Sequence, residues 1–307
     1  MKVTFVAQLS QMIVDPKNTS VPQLHGYLLG TIGPRPIAFA STLDKEGNPN
    51  LSPFSFFNVF SANPPIAIFS PSRRGRDNTT KHTYENVKEL GEVVINVVTH
   101  DMVEQMSLAS TEYPKGTNEF IKAGFTPIKS ERVKPFRVKE SPVQFECIVK
   151  EVVELGNEGG AGNLIICEVV LIHVDENVLD SDGRIDQTKI DLVGRMGGNF
   201  YVRAHGDALF EVAKPLQNMG IGVDQIPTDI RNSHVLTGNN LGQLGNVESI
   251  PNETEVNDFK LIELADIFVE FEDDAIALER TLHEKAKQYL KEGKVSEAWK
   301  TLLSFND

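Results

Sequence analysis

The chain has 307 residues, of which 40% are hydrophobic and 24% charged, and its formal net charge is -13. Such a balance suits a folded globular chain and excludes a disordered or low-complexity one. The acidity also excludes nucleic-acid binding, or attachment to anionic lipid, through a broad basic face.

In chain order, residues 1–26 form a weakly patterned lead-in, with turn chemistry at Asp15-Pro16 and a short helical piece ending near Gly30. The segment lacks the basic, apolar and small-residue zones of a secretory signal. No apolar stretch approaches bilayer length, so a cytoplasmic, membrane-free protein is expected. Arg35–Leu43 reads as a strand, Asp44–Asn48 as a hairpin turn, and Asn50–Phe60 as one continuous returning strand. After the break at Asn63-Pro64-Pro65, a third strand runs to Ser70.

A basic loop follows, Arg73-Arg-Gly-Arg-Asp-Asn-Thr-Thr-Lys81, set between that strand and a helix expected from Thr79 to Leu90. Cations among hydroxyl and amide groups, between a strand end and a helix start, make an anion site of phosphate size. The competing reading is a solvated surface loop. Glu92–Thr99 is β-branched and reads as strand, His100–Ser110 and Asn118–Ala123 as helices. Val143–Leu155 and Asn163–Asp175 are long strands, and the glycines at 156–162 between them are hairpin-turn glycines, since no helix follows. Both cysteines, Cys147 and Cys167, fall in these apolar runs, where free buried thiols are expected.

The β signal fades after Arg203. Residues 220–251 are polar and rich in Gly and Asn, resembling an extended arm. Beyond them, Glu248–Asp274 holds ten acidic residues against Lys260 alone. Amphipathic helices close the chain, with Ile276, Leu282, Ala286 and Leu290 on one and Val295, Ala298, Trp299 and Leu302 on the next. The expected architecture is mainly β with inserted helices, an antiparallel barrel spanning residues 1–213, followed by an arm and helical hairpin over 214–307.

Motifs for a serine nucleophile, a zinc protease, a dithiol or a nucleotide-binding P-loop are absent, and the histidines never pair at helical metal spacing. What the sequence does offer is the basic loop together with Ser55-Phe56-Phe57, where a hydroxyl neighbours aromatics. The phenylalanines Phe54, Phe56 and Phe57 on their own read as core packing. A cofactor with a flat ring and a phosphate tail matches both features.

The runs Gly33-Pro-Arg-Pro-Ile-Ala-Phe-Ala-Ser-Thr42, Asn50-Leu-Ser-Pro-Phe-Ser-Phe-Phe-Asn58, Pro64-Pro-Ile-Ala-Ile-Phe-Ser70 and Asp77-Asn-Thr-Thr-Lys81 resemble the flavin reductase-like family of FMN-binding split barrels. The likeness covers roughly Leu24 to Ala213. It implies an FMN-binding homodimer, an NADH- or NADPH-dependent flavin oxidoreductase, and a partner monooxygenase or other electron acceptor. By the same resemblance Ser41 and Thr42 approach the ring or ribityl chain, and Ser55, Phe56 and Phe57 line the isoalloxazine. Ser70, Arg76, Thr79 and Lys81 hold the phosphate, Asp77 orients the loop or caps the helix, and Arg35 is a further candidate; Arg73 and Arg74, read from the residues, are solvated flank. Two alternatives remain open: a non-catalytic flavin-binding protein whose C-terminal helices dock a partner, and a binder of another phosphorylated ring such as pyridoxal phosphate.

Overall fold

The computed structural model describes residues 11–215 and 219–305, so the first part of the lead-in lies outside the described residues. The chain divides into two compact units, Met1–Phe210 and Glu211–Asp307.

The first unit opens with helix α1 (Val21–Thr31), which buries none of its residues. Strands β1 (Ala38–Leu43), β2 (Pro49–Phe54), β3 (Phe57–Ala62) and β4 (Pro65–Phe69) follow. Helix α2 (His82–Leu90) ends at Gly91, whose left-handed φ of 68° suits glycine and closes the last turn. After β5 (Glu92–Val97) come helices α3 (Val103–Leu108) and α4 (Glu119–Ala123), and the short strands β6 (Pro127–Ile128) and β7 (Arg137–Val138). The long hairpin β8 (Val143–Glu154) and β9 (Asn163–Val174) precedes a small pair, β10 (Val193–Arg195) and β11 (Tyr201–Arg203).

Seven strands pair antiparallel in the order β2-β1-β5-β8-β9-β4-β3. The edges of this sheet, β2 and β3, are consecutive in sequence and separated by Ser55 and Phe56 alone. A flat seven-stranded sheet would be about 29 Å wide at the usual strand spacing, far beyond the reach of so short a link. The sheet therefore curls until its edges approach, a barrel split along one seam. This corrects the continuous strand expected over Asn50–Phe60: Phe54 registers with Ala38 on β1, whereas Phe57 registers with Phe69 on β4. The apolar run hides the change of partner.

Core packing explains why β1 carries no polar alternation. All six of its residues are buried, with Phe39 facing a cluster that includes Leu51, Met106 and Phe120, and Ala38 and Ala40 facing Phe69, Ile95, Cys147 and Ile165. Both cysteines are free and buried, and burial pushes the Cys167 thiol up to about 12, so it stays protonated. A buried carboxylate, Glu146 on β8, accepts hydrogen bonds from the amides of Glu131 (2.8 Å), Arg132 (2.6 Å) and Val133 (3.2 Å) and lies 2.6 Å from His173 Nε2. Burial alone would raise its pKa, but these partners outweigh it and hold the carboxyl below the usual range.

The second unit contains α5 (Thr228–Arg231), α6 (Gly238–Gly245), α7 (Glu253–Glu263), α8 (Ala265–Glu270), α9 (Ala275–Lys291) and α10 (Val295–Leu303). Residues 220–251 are a folded part of this unit: Ile226, Ile230, Leu236 and Leu244 pack with Ala286, Leu290, Ala298, Trp299 and Leu302. Their apolar residues are too widely interspersed with Gly, Asn and Pro to show a helical period. The expected α9–α10 hairpin forms, turning at Gly293 (φ 75°), although Ile276 at its start points to solvent. Trp299 donates its indole N–H to the Leu244 carbonyl at 3.1 Å. His283 is buried, with Nδ1 2.6 Å from Ser233 Oγ, and burial lowers its pKa.

Candidate functional site

A cleft of about 440 Å³ lies in the first unit where the seam between β2 and β3 meets the basic loop. It is lined by the end of β2 with the bend at Ser55 and Phe56, by Ser70 and residues 72–76, and by Lys81 and Glu112. Phe56 is 41% exposed and meets the ring of His25 edge-on, at 6.4 Å between centroids. An exposed aromatic beside hydroxyls is what a flat polar ring requires of its wall.

In the same cleft, Arg74 Nε, Arg76 Nη2 and Lys81 Nζ converge on one carboxylate, that of Glu112, at 3.0, 3.0 and 3.1 Å. Hydrogen bonds from Lys81 and Arg74, together with the Lys81 charge, hold the Glu112 carboxyl down to about 2. The loop itself is built by Asp77, which accepts from the Thr79 amide (3.1 Å) and hydroxyl (2.6 Å) and is likewise held at about 2. Asn78, with φ 56°, makes the turn, and its Oδ1 accepts from Arg73 Nε at 2.7 Å. Helix α2 begins at His82, three residues later than its sequence pattern suggests, and no side chain caps its N-terminus.

Of the residues expected at the site, Ser55, Phe56, Ser70, Arg76 and Lys81 line the cleft. Thr79 and Asp77 shape the loop behind it. Ser41 and Thr42 do not reach it, because β1 is enclosed on both faces and both residues are fully buried. Thr42 Oγ1 accepts from Asn50 and Asn86 at 3.3 and 3.0 Å. Phe57 packs partly buried against the core containing Phe69. Arg35 is also turned inward, its guanidinium donating to the carbonyls of Leu29 (2.9 Å), Ile32 and Met196 (2.9 Å) and to Ser55 Oγ (3.3 Å). It braces the cleft wall.

Arg73 and Arg74 correct the expectation of a solvated flank. Arg74's side chain is only 15% exposed, and it also binds Thr79 Oγ1 (2.9 Å) and the Thr80 carbonyl. Glu112 and His25 stand outside the motifs and carry no sequence signal, whereas Ser52 lies within the Asn50–Asn58 run but is not singled out there. Only Glu112's proximity to the loop in space, 31 residues from Lys81, makes it part of the site.

An antiparallel split barrel with a cation-lined cleft on its seam is the class that this fold and site define. Residues 31–189 match the model of the flavin reductase like domain, and the chain belongs to that family. It is 39% identical over 196 residues to an uncharacterized protein of Aquifex aeolicus strain VF5, covering 64% of this chain and 97% of that protein. Among solved structures, nitrilotriacetate monooxygenase component B from Bacillus cereus aligns with a TM-score of 0.62 at 30% identity, over 67% of this chain and all of that one. Flavoredoxin of Desulfovibrio vulgaris (Miyazaki F) shares the fold, with a TM-score of 0.51 at 24% identity, over 61% of this chain and 93% of that one. Membership of the family places the chain among flavin-linked oxidoreductases.

Proposed function

We propose that the cleft binds FMN and that the protein is an NADH- or NADPH-dependent flavin oxidoreductase. The observation that carries this reading is the convergence of Arg74, Arg76 and Lys81 in a cleft whose lining also offers Phe56 and the hydroxyls of Ser52 and Ser55. The residues fit the group: charge-assisted donors for a phosphate, an apolar face for a ring, and short hydroxyls for its polar edge. Bound flavin supplies the hydride-accepting and electron-relaying chemistry. Lys81, Arg74 and Arg76 bind the phosphate, Arg35 fixes Ser55 in the wall, and Phe56 excludes water from one face of the ring.

Similarity to a protein described as a monooxygenase component supports transfer of reducing equivalents to a second protein. A homodimer is part of the proposal. The edge strand β3 exposes Val59 and Phe60, β9 exposes Ile172, and α1 buries nothing, so this unit offers apolar surface for a second copy. A cytoplasmic location is proposed too; among the described residues no helix is long and apolar enough to cross a membrane.

The test is the visible spectrum of purified protein, a titration with FMN, and NADH or NADPH oxidation with FMN present. Flavin absorbance or saturable FMN binding, with nicotinamide oxidation, is expected. Colourless protein that neither binds FMN nor oxidises either nucleotide overturns the reading. A second reading draws on Leu261, Ile262 and Val269, which are exposed on the helical unit: a flavin-binding protein whose helices dock a partner. It predicts bound FMN without nicotinamide oxidation.

A further inference from the structure

We propose that Glu112 is a resident counter-anion that holds the phosphate position of the cleft, so that a phosphate-bearing ligand binds by displacing it. This rests on the flavin reading above and names the residue that sets the site's discrimination between FMN and riboflavin.

The geometry has four parts. Three cations from two places in the loop meet one carboxylate: Glu112 Oε1 takes Arg74 and Lys81, and Oε2 takes Arg76. The carboxylate comes from outside the loop, on the segment after α3, so the pairing is not a by-product of local backbone geometry. Its neighbour Ser110 lines the same cleft, which puts the carboxylate within the cleft's own wall. Finally, its side chain is 41% exposed, so it can rotate toward solvent without opening the core.

Carboxylate and phosphate monoester make the same demand, oxygens surrounded by charge-assisted donors, and one cluster cannot serve both fully. An incoming phosphate gains the cations, while Glu112 loses them to water. The net affinity is thus the difference between two similar interactions. Riboflavin has no phosphate and requires no exchange. Asp77, which also contacts Arg76 at 3.2 Å, is committed to Thr79 and stays in place.

The experiment compares the wild-type chain with Glu112→Gln and Glu112→Asp, titrated with FMN, riboflavin and inorganic pyrophosphate by calorimetry, with thermal melts to establish folding. Glu112→Gln is nearly isosteric and removes the competing charge; it is expected to tighten FMN about tenfold and leave riboflavin within about twofold. Glu112→Asp keeps the charge on a shorter stem and is expected to fall between. FMN binding that is unchanged or weaker in Glu112→Gln overturns the proposal, since Glu112 would then be organising the cations for the ligand. If no variant binds either flavin, the flavin reading fails by itself. Pyrophosphate then decides the Glu112 proposal: tighter binding by Glu112→Gln supports it, and equal or weaker binding overturns it.

Discussion

Lys81 and Arg76 touch the same carboxylate, yet their settings differ: 31% of the Lys81 side chain is exposed against 74% for Arg76. Exposed pairs are screened by water and salt, so the two cations are not worth the same. Lys81→Ala is expected to weaken FMN about tenfold or more, Arg76→Ala only about two- to threefold, and neither to change riboflavin appreciably. Flavin-fluorescence titrations measure all four constants. Equal losses for FMN and riboflavin would show that the phosphate lies elsewhere. At this scale the sequence revealed the local cations, because Arg76 and Lys81 stand in one motif with Thr79. The directions of the Ser41, Thr42 and Arg35 side chains were not legible in it, because they depend on how β1 and the 196 region pack. No pattern could reveal that Glu112 folds back among the cations.

Elements are held here by polar groups that hydrophobic periodicity cannot register. Glu146 stands in a strand that reads as apolar, but its carboxylate gathers three successive amides of the 131–133 turn, and with them the connection between β6 and β7. Glu146→Gln replaces one acceptor oxygen with an N–H₂ facing donors. It is expected to cost about 2–4 kcal/mol, read as a lower denaturation midpoint. The sign of the pH effect follows from its depressed folded pKa. The stabilisation is present above the ordinary value of 4.5 and is lost as pH falls through the lower folded value. An acid titration followed by circular dichroism should be less steep in the variant; an unchanged acid limb would place the acid sensitivity elsewhere. The strands themselves were legible, because β5, β8 and β9 are rich in β-branched and apolar residues, although the two register shifts in the β8–β9 pairing were not. The turn at Ser55 and Phe56 was not, since a strand that changes partner keeps the same composition.

Across the whole molecule, the helical unit carries its own reporter. The sole tryptophan, Trp299, is buried in the helical unit, so its fluorescence follows that unit's unfolding. His283 lies in the same unit with a pKa lowered first by burial. A base depressed in the folded state stabilises above its ordinary value of 6.5 and loses that stabilisation as pH falls toward the folded value. The urea midpoint read by Trp299 is therefore expected to fall between pH 7.5 and 5.5, and His283→Gln to flatten that dependence. A midpoint independent of pH in the wild type would rule out the role assigned to His283. Sequence composition separated a β-rich part from a helical one. It could not register that residues 220–251 contribute buried side chains, since Ile226, Ile230 and Leu244 have no apolar neighbour but proline or glycine and Leu236 has only Val235 beside it.

Arg35 sets the order in which the first unit can be completed. Its guanidinium joins Leu29 and Ile32, made early in synthesis, to Met196, made 161 residues after Arg35, and to Ser55 on the cleft wall. A nascent chain that has not yet released Met196 leaves that cation without one carbonyl and the wall without its full brace. Contacts so distant in sequence form late, after the loop between them has closed. A ribosome-bound chain stalled before residue 196 would thus carry most of the sheet but an unfinished cleft, and binding competence would arrive as a single late event in translation.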